Sequence, residues 1–357
     1  MARAAKPSVT LRDVARAAGV SKSTASNVFN RPEVVREDAR ERVRAAAAEL
    51  GYGGPDLHAR LLVARRVNAI GVATSAPLSY FFDDPWARAT LSAIAGVCDG
   101  RGAGLALVSA LDQDRAAWNV QSALVDGFVL LCTEGLGEFL VELTRRRGLP
   151  FVALSLESED AGVPSISVDD RGGARLAAEH LLGLGHRRLG VLGIEPQPAG
   201  CRVELAVEAA RGLSLTSRNR IKGYREAVAA AGLGEEALRC VGSRGDPDGV
   251  AEALTALFGQ EEPPTGLLAM SDAVALLALD WLAVRGIATP GEVSVVGFDG
   301  VPEAARARPP LTTVAQPLAR MAARAVEAVI DGAMPEGRET LAVTLVERAS
   351  TGPAPRA

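Results

Sequence analysis

The stretch that most constrains this chain is residues 10–30, TLRDVARAAGVSKSTASNVFN, which predicts two short helices joined by a tight turn. Thr10 is placed to cap the first helix, with Asp13 three residues later as its reciprocal partner. The apolar residues that share one face of this helix are Leu11, Val14, Ala15 and Ala18. Gly19 then ends the helix, because glycine adopts a left-handed backbone without a steric cost.

A second helix is predicted from Lys22 to about Phe29, with Ser21 as its cap. Its outward face carries short polar side chains and one cation, which are the groups that reach base edges in a major groove. These outward residues are Lys22, Ser23, Ser26 and Asn27. The pattern indicates a helix-turn-helix, and the alternative is an ordinary helical hairpin of the kind that short Ala-rich segments form.

A third amphipathic helix is predicted over residues 37–50, stopped by Gly51. Its inward residues are expected to be Ala39, Val43, Ala46, Ala47 and Leu50. Residues 10–52 resemble the DNA-binding headpiece of the LacI/GalR family of bacterial transcription regulators. The matching features are DVARAAGVS, the Thr24-x-Ser26 pair, the terminal Asn30 and the closing LGY at 50–52. Asn27 stands where the family usually has Arg, so we expect an operator that differs from the family average.

The resemblance implies that residues 54–66 form the hinge, which in the family folds only on DNA. The family's A-R-x-L matches Ala59, Arg60 and Leu62, so Leu62 would be the wedge in the minor groove. The alternative is a plain linker with a core leucine. The predicted DNA-binding residues are therefore Thr10, Ser21, Lys22, Ser23, Thr24, Ser26, Asn27, Asn30, Arg60 and Leu62.

Charge is divided unevenly along the chain. Residues 1–66 hold 13 Lys and Arg against 7 Asp and Glu, whereas the remainder holds 26 against 36. A basic end on an acidic body is expected of a DNA-binding protein whose other domain must stay off the phosphates. Residues 1–9 are predicted to be a disordered basic arm.

The cysteine pattern and the hydropathy exclude several classes of protein. The four cysteines, which show no paired spacing and are expected to be buried thiols, are Cys98, Cys132, Cys201 and Cys240. With only three histidines they predict no metal site, and no cofactor is implied. The first residues, MARAAKPS, lack the apolar core of a signal peptide, and no run of 18 apolar residues occurs. We therefore expect a cytoplasmic protein that does not span a membrane.

From residue 67 the chain alternates apolar strands with helices, which predicts doubly wound α/β layers with parallel sheets. Strands are predicted at 68–74, 104–110, 125–132, 149–155, 165–170, 187–194, 238–241, 265–269 and 293–298. Helices are predicted at about 85–100, 171–186 and 218–231.

This body also resembles the LacI/GalR family, across essentially all of residues 67–352. The most diagnostic runs are VDDRGGARLAAEHLLGLGHRRLG at 168–190, VSVVGFDG at 293–300 and PPLTTVAQP at 309–317. The resemblance implies a two-lobed fold like that of periplasmic sugar-binding proteins, with a helix within 311–332 packing a homodimer. The implied organisation is a headpiece at 10–53, lobe 1 at about 67–164 and 313–331, lobe 2 at about 165–312 and 338–352, and a tail at 353–357.

A small polyol or base held between two lobes needs carboxylate, amide or guanidinium partners and a flat apolar face. Open parallel sheets bind ligands at the carboxyl ends of their strands. Asp299 follows a strand there and matches the family's ligand-binding Asp. Arg220 matches its ligand-binding Arg, with a salt bridge at a helix start as the alternative. Ser271 is a further candidate, whereas the neighbouring Asp272 could instead cap the next helix.

The loop at 75–86, SAPLSYFFDDPW, offers further stacking and polar groups. These candidate effector-binding groups are Tyr80, Phe82, Asp84 and Trp86, although core packing would also explain the aromatic residues. Ser155 stands where many members of the family carry Asp and is included as a candidate. The segment at 195–217 is longer than usual, and it either covers the cleft or loops out.

Together these features predict a ligand-responsive repressor of carbohydrate or nucleoside metabolism genes. Two headpieces on a homodimer would bind a near-palindromic operator in double-stranded DNA, and a sugar, sugar derivative or nucleoside would change the lobe angle. The alternatives are an enzyme on the same body and a free solute-binding protein. The sequence shows no catalytic constellation, and His186 at a helix end is expected to tie backbone. No heptad tail follows residue 340, which favours dimers over coiled-coil tetramers.

Overall fold

The computed structural model describes residues 9–54, 67–133, 135–156, 162–194 and 213–356. It divides into two compact units at residue 67. The N-terminal unit consists of α1 (Leu11–Ala17), α2 (Lys22–Asn30), a 3₁₀ turn (Pro32–Val34) and α3 (Glu37–Leu50). The start of α1 is closed by Thr10, whose backbone N–H and hydroxyl both donate to Asp13 Oδ2, at 3.0 and 2.6 Å. Gly19, at φ 63°, makes the turn, so the predicted helix-turn-helix fold is confirmed.

The three helices enclose a small core made of Val14, Ala15, Ala18, Ala25, Val28, Val35, Val43, Ala46 and Ala47. The expectation that Leu50 points inward is wrong, because this side chain is 37% exposed. Leu50 is the last residue of α3, and Gly51, at φ 65°, turns the chain directly after it. The rings of Phe29 and Tyr52 pack edge to face, with centroids 5.8 Å apart, beside this core.

The C-terminal unit contains two six-stranded sheets, which form the centres of two lobes. The sheet of lobe 1 is parallel throughout and runs, in spatial order, β11 (Arg338–Leu341), β5 (Ser165–Val168), β4 (Phe151–Leu154), β3 (Gly127–Leu130), β1 (Ala69–Thr74) and β2 (Gly104–Ser109). The sheet of lobe 2 runs β12 (Thr344–Val346), β10 (Thr312–Ala315), β9 (Ser294–Asp299), β8 (Gly266–Ala269), β6 (Leu189–Leu192) and β7 (Leu238–Val241). In this sheet only β12 is antiparallel to its neighbour.

Helices cover the faces of both sheets. Lobe 1 carries α4 (Tyr80–Asp83), α5 (Pro85–Gly100), α6 (Gln113–Ser122), α7 (Gly137–Arg147) and α12 (Leu318–Asp331). Lobe 2 carries α8 (Asp170–Gly183), α9 (Leu215–Ala230), α10 (Pro247–Phe258), α11 (Asp272–Val284) and two 3₁₀ turns, Glu235–Ala237 and Pro302–Ala305. The doubly wound α/β architecture predicted from the alternation of strands and helices is confirmed.

The chain passes between the lobes three times, after β5, after β10 and after β11. The lobe boundaries expected at residues 165, 313 and 338 are therefore wrong by one strand each. Strands β5 and β11 pair with each other and with β4 in lobe 1, and β10 pairs with β9 in lobe 2. These strands are four residues long and find partners distant in sequence, so their own residues do not specify the sheet to which they belong.

His186 joins the strands of lobe 2 to the C-terminal segment. Its ring is fully buried, with Nδ1 2.9 Å from Thr265 Oγ1 and Nε2 3.0 Å from Ser294 Oγ. Nε2 also lies 3.1 Å from the carbonyl oxygen of Gly352, so the expected tie to backbone is present. Burial lowers the pKa of His186, which keeps the ring neutral in this role.

The cysteines within the described residues are buried thiols, as predicted. Cys98, Cys132 and Cys240 are buried free thiols, and Cys201 lies outside the described residues. Burial raises the pKa of Cys240 to about 12, so its thiol is protonated and unreactive. In the described ranges no helix is both long and apolar enough to cross a membrane. Those ranges also hold no group of three His, Cys, Asp or Glu arranged to bind a metal ion.

Candidate functional site

Helix α2 separates its residues into a core face and a solvent face. Ala25 and Val28 are buried, whereas Lys22 and Ser23 are exposed and Asn27 is half-buried. This arrangement leaves the predicted base-reading side chains on the surface while the alanine and valine hold the helix against α1 and α3. The helix therefore has the geometry of a recognition helix.

Ser21 organises the start of α2. Its Oγ accepts the backbone N–H of Thr24 at 3.0 Å and lies 2.8 Å from both Ser23 Oγ and Thr24 Oγ1. The hydroxyls of the first turn thus form one small cluster at the positive end of the helix dipole, where an anion such as a DNA phosphate is favoured. The predicted residues Arg60 and Leu62 and the side chain of Asn30 lie outside what the structure describes.

A cavity of about 430 Å³ lies between the two lobes of the C-terminal unit. Its walls combine side chains from both lobes with Gln316, which follows β10 at a crossover. The principal polar and aromatic lining residues are Tyr80, Asp84, Trp86, Ser155, Asp170, Ser214, Thr216, Arg220, Arg244, Ser271, Asp299 and Gln316. Seven of the eight predicted effector-binding residues are in this set.

Asp299 ends strand β9 at the floor of the cavity. Its φ of 125° is rare for a residue other than glycine and marks a strained backbone at this position. Gln316 Nε2 donates to Asp299 Oδ1 at 2.8 Å, and the backbone N–H of Asp272 donates to Oδ2 at 3.3 Å. Burial raises the pKa of Asp299 well above its ordinary value; nearby Asp272 and Asp84 raise it further, and Arg220 opposes the shift.

Asp272 supports this floor and does not cap the helix that it begins. The cap of α11 is Ser271, whose Oγ accepts the N–H of Val274 at 3.2 Å. Asp272 is fully buried, and its Oδ2 accepts the N–H groups of Gly300 and Val301 at 2.8 and 2.9 Å. The capping role considered for Asp272 is therefore wrong, because its carboxylate turns toward the loop after β9.

Arg220 lies inside α9 and is almost fully buried. Its Nε and Nη2 each lie 2.8 Å from Asp170 Oδ1, and its Nη1 donates to the carbonyl oxygen of Met270. The guanidinium also stacks on Phe298, 3.6 Å from the ring centroid. Arg220 is thus the partner of a buried salt bridge and also lines the cavity, and its role in binding a ligand stays a prediction.

Lobe 1 contributes the opposite wall. Asp84 caps α5 by accepting the N–H of Ala87 at 2.8 Å, and it also forms a hydrogen bond with the side chain of Tyr80. Burial raises the pKa of Asp84, while these hydrogen bonds oppose the shift. Ser155 lines the cavity beside Tyr80 and Asp84, in a left-handed backbone with φ 52°.

Trp86 connects the two lobes. Its side chain packs against the apolar core of lobe 1 and also against that of lobe 2. Its Nε1 donates to Gln316 Oε1 at 3.2 Å, and the amide of Gln316 in turn donates to Asp299. A hydrogen-bonded chain therefore runs from lobe 1, through the crossover, to the carboxylate at the floor of lobe 2.

Two family models match the chain. The model of bacterial regulatory proteins of the lacI family covers residues 10–54, and that of the periplasmic binding protein-like domain covers residues 178–351. An HTH-type transcriptional regulator of Mycobacterium tuberculosis is 39% identical over 328 residues, which are 90% of each chain. The chain belongs to the LacI family.

Solved structures of this family share the whole fold. The lac repressor dimer bound to operator and the anti-inducer ONPF matches with a TM-score of 0.75 at 26% identity, over 97% of this chain and 99% of that chain. The transcriptional regulator CelR in complex with cellobiose matches with a TM-score of 0.66 at 26% identity, over 96% and 99%. This LacI family chain is a DNA-binding transcriptional regulator of the helix-turn-helix type, and its relatives are regulators rather than enzymes.

One predicted cleft residue of this LacI family protein is misplaced. Phe82 is not among the cavity-lining residues, and its side chain is 65% exposed. The short helix α4 explains the error, since successive residues point about 100° apart and Phe81 takes the buried direction.

Five polar residues of the cavity were not predicted individually, namely Asp170, Ser214, Thr216, Arg244 and Gln316. Asp170, Arg244 and Gln316 closely follow strands of the two sheets, so their position at the carboxyl ends of strands is the signal that indicates them. Of the long segment at 195–217, only residues 213–217 are described, and Ser214 and Thr216 within them line the cavity.

Proposed function

We propose that this LacI family protein is a ligand-responsive repressor that binds a near-palindromic operator as a homodimer and is released by a small-molecule effector. The observation that carries this proposal is the cavity between the lobes, in which Asp299 and Arg220 of lobe 2 face Asp84 and Trp86 of lobe 1. A ligand held there touches both lobes, so its binding free energy depends on their angle. Such differential binding is what allows a ligand to shift a conformational equilibrium.

The proposed effector is an uncharged sugar or sugar derivative, with a nucleoside as the alternative. Two arginines line the cavity, and each is already paired with carboxylates of the protein. Arg220 pairs with Asp170 at 2.8 Å, and Arg244 pairs with Asp246 at 3.2 Å and Glu252 at 3.1 Å. An anionic ligand would find these cations compensated and would have to lie beside further carboxylates, which is costly in a partly buried site.

Uncharged hydroxyl groups fit the same cavity better. Two adjacent hydroxyls can donate to a carboxylate such as Asp299 and accept from a guanidinium N–H of Arg220. The indole face of Trp86 supplies the flat apolar surface against which a sugar or base ring packs. The structure of CelR, which has the same fold, is a complex with cellobiose. This supports a carbohydrate as the ligand class.

The headpiece supports the DNA half of the proposal. Its exposed α2 side chains face solvent, and residues 1–66 carry a surplus of six positive charges. Contacts between these positive charges and DNA phosphates would supply affinity, and contacts between α2 and base edges would supply sequence preference. The proposed compartment is the cytoplasm, where the operator and the effector are both present.

Two experiments test the proposal. Selection of random DNA duplexes by the purified protein should enrich a near-palindromic sequence. If no sequence is enriched, the proposed sequence-specific binding to an operator is contradicted. Thermal unfolding with a panel of sugars, polyols and nucleosides should identify a stabilising ligand. A ligand at about 100 times its dissociation constant stabilises the native state by about 2.7 kcal/mol, which is readily measured. A ligand that stabilises the protein but leaves its affinity for the operator unchanged would contradict the proposed ligand response.

A further inference from the structure

An ion pair joins the two lobes outside the cavity. Arg88 in α5 of lobe 1 places Nη2 2.6 Å from Oε1 of Glu303, which lies in the 3₁₀ turn Pro302–Ala305 of lobe 2. The Nη1 of Arg88 also donates to the carbonyl oxygen of Phe82 at 2.9 Å. The guanidinium is thus oriented by its own lobe before it meets the carboxylate of the other lobe.

The same helical turn reaches the cavity. Asp84 caps α5 and lines the cavity, and Trp86 lines it two residues later while contacting the cores of both lobes. Arg88 follows after two more residues. A ligand that displaces Asp84 or Trp86 therefore acts on the turn that holds the ion pair, which is a direct mechanical connection between the cavity and the lobe contact.

We propose that the Arg88–Glu303 ion pair is a latch that holds the two lobes together beside the cavity and thereby sets the lobe angle on which the effector acts. This inference rests on the proposed ligand response and names the regulation of the same cleft. Neither residue lines the cavity, so the pair would change the response without contacting the effector. The pair is a positioning device that acts through Trp86.

The two halves of the latch are not equivalent. Oε2 of Glu303 is buried and has no hydrogen-bond partner within the described residues, and Oε1 of the same carboxylate is paired with Arg88. Loss of Arg88 leaves a carboxylate at the lobe contact without its cation, and separation of the lobes returns that carboxylate to water. Arg88→Ala should therefore open the lobes more than Glu303→Gln, which removes the charge together with the need to compensate it.

The expected effect is moderate. The side chains of Arg88 and Glu303 are 42% and 35% exposed, so solvent screens their attraction. Pairs of this kind shift an equilibrium by about two- to fivefold. Such a shift is enough to tune the ratio of open to closed lobes without locking either state, as a ligand-controlled equilibrium requires.

The test uses Trp86 as the reporter in the full chain, without any ligand. In a Trp118→Phe, Trp281→Phe background, Trp86 is the remaining tryptophan, and its half-buried indole lies at the lobe contact. We expect Arg88→Ala to shift its emission to the red and to increase quenching by acrylamide. Glu303→Gln should have a smaller effect. The reversed pair Arg88→Glu, Glu303→Arg should bring the emission and quenching closer to the parent than Arg88→Glu alone does; recovery is partial because the hydrogen bond from Arg88 to the Phe82 carbonyl oxygen is lost.

The matched control is Arg101→Ala. Arg101 pairs with Asp331 at 3.0 Å with side chains 41% and 44% exposed, but both residues belong to lobe 1. This variant should leave Trp86 emission unchanged. Hydrogen–deuterium exchange at the start of α5, measured without the tryptophan replacements, gives a second readout and should be faster in Arg88→Ala than in Arg101→Ala.

Unchanged quenching and exchange in Arg88→Ala would overturn the latch. A reversed pair whose values are no closer to the parent than those of Arg88→Glu alone would also overturn it, since Arg88 would then act through packing rather than charge. Because no ligand is present, these outcomes are independent of the proposed function, whose failure would instead appear as the absence of any stabilising ligand for the wild-type protein.

Discussion

Asp272 and Asp299 are in direct contact at the floor of the cavity, where the backbone N–H of Asp272 donates to Oδ2 of Asp299 at 3.3 Å. The carboxylate of Asp272 in turn accepts the N–H groups of Gly300 and Val301, the two residues that follow Asp299. The position of the proposed ligand-binding carboxylate therefore depends on a second, fully buried carboxylate behind it.

Asp272→Ala should destabilise lobe 2, because it leaves the buried N–H of Val301 and the part-buried N–H of Gly300 without an acceptor. Each such donor costs about 1–3 kcal/mol. Asp272→Asn should cost less, since the amide oxygen can accept the same donors and the amide nitrogen can donate to Thr313 Oγ1, which now donates to Asp272 at 2.6 Å. Denaturant unfolding measures the difference, with exposed Asp280→Ala on the same helix as the control. Equal stability of the Ala and Asn variants would contradict the account.

The same residue predicts a pH dependence of stability. Burial raises the pKa of Asp272 from 3.8 to about 6, so between about pH 4 and 6 the folded protein binds more protons than the unfolded chain. The stabilisation from this protonated carboxyl is present at low pH and is lost as pH rises through the folded pKa. The free energy of unfolding of Asp272→Asn should therefore rise relative to wild type from pH 4 to 6 and then level off. If the free energies of unfolding of wild type and Asp272→Asn changed in parallel with pH, the raised pKa would not belong to Asp272.

Local signals in the sequence specified some helix ends but not the sheet partners. The helices predicted at 171–186 and 218–231 are observed at Asp170–Gly183 and Leu215–Ala230, so each differs by three residues at one end. Gly19, Gly51 and Pro85 mark positions where the backbone must turn or a helix can begin, and the structure has boundaries at each. Strands β5 and β11 carry no comparable signal, because their place depends on pairing with strands far away in the chain.

In the candidate site, too, some features could be predicted from the sequence and others could not. Asp299 could be predicted from residue type and position at the end of a strand, and Arg220 from the resemblance to the family. The direction of a side chain within a short helix could not be predicted. The sequence therefore indicates Phe82 together with Tyr80 and Trp86, although Phe82 does not line the cavity. The pairing of Arg220 with Asp170 needed the structure, since 50 residues separate the two along the chain.

Lys22→Ala combined with Asn27→Ala should relax or abolish operator preference. Each good base contact contributes about 1–3 kcal/mol of discrimination, and these side chains lie on the solvent-facing side of α2. The control Lys222→Ala removes an exposed lysine from lobe 2 and should leave sequence preference unchanged. Binding to the selected operator and to mutated half-sites gives the comparison; an unaltered preference would remove Lys22 and Asn27 from the base-reading role.

Matched pairs of neutral sugars and their phosphate esters should show selection against charge. Whichever sugar stabilises the wild-type protein should lose affinity as its phosphate, because Arg220 is compensated by Asp170. Asp170→Asn removes the negative charge that compensates the Arg220 guanidinium. This variant should therefore show a smaller difference in affinity between the neutral sugar and its phosphate. Isothermal titration with both members of a pair provides the measurement. Tighter binding of the phosphate by the wild-type protein would contradict the proposed effector class.

The most direct test of the central claim is the operator affinity of wild type and Asp299→Ala, each measured by fluorescence anisotropy with and without the stabilising ligand. We predict that the ligand weakens operator binding by the wild-type protein, whereas Asp299→Ala binds the operator equally well in both conditions. A ligand effect that persists in Asp299→Ala would show that the response does not pass through this cleft.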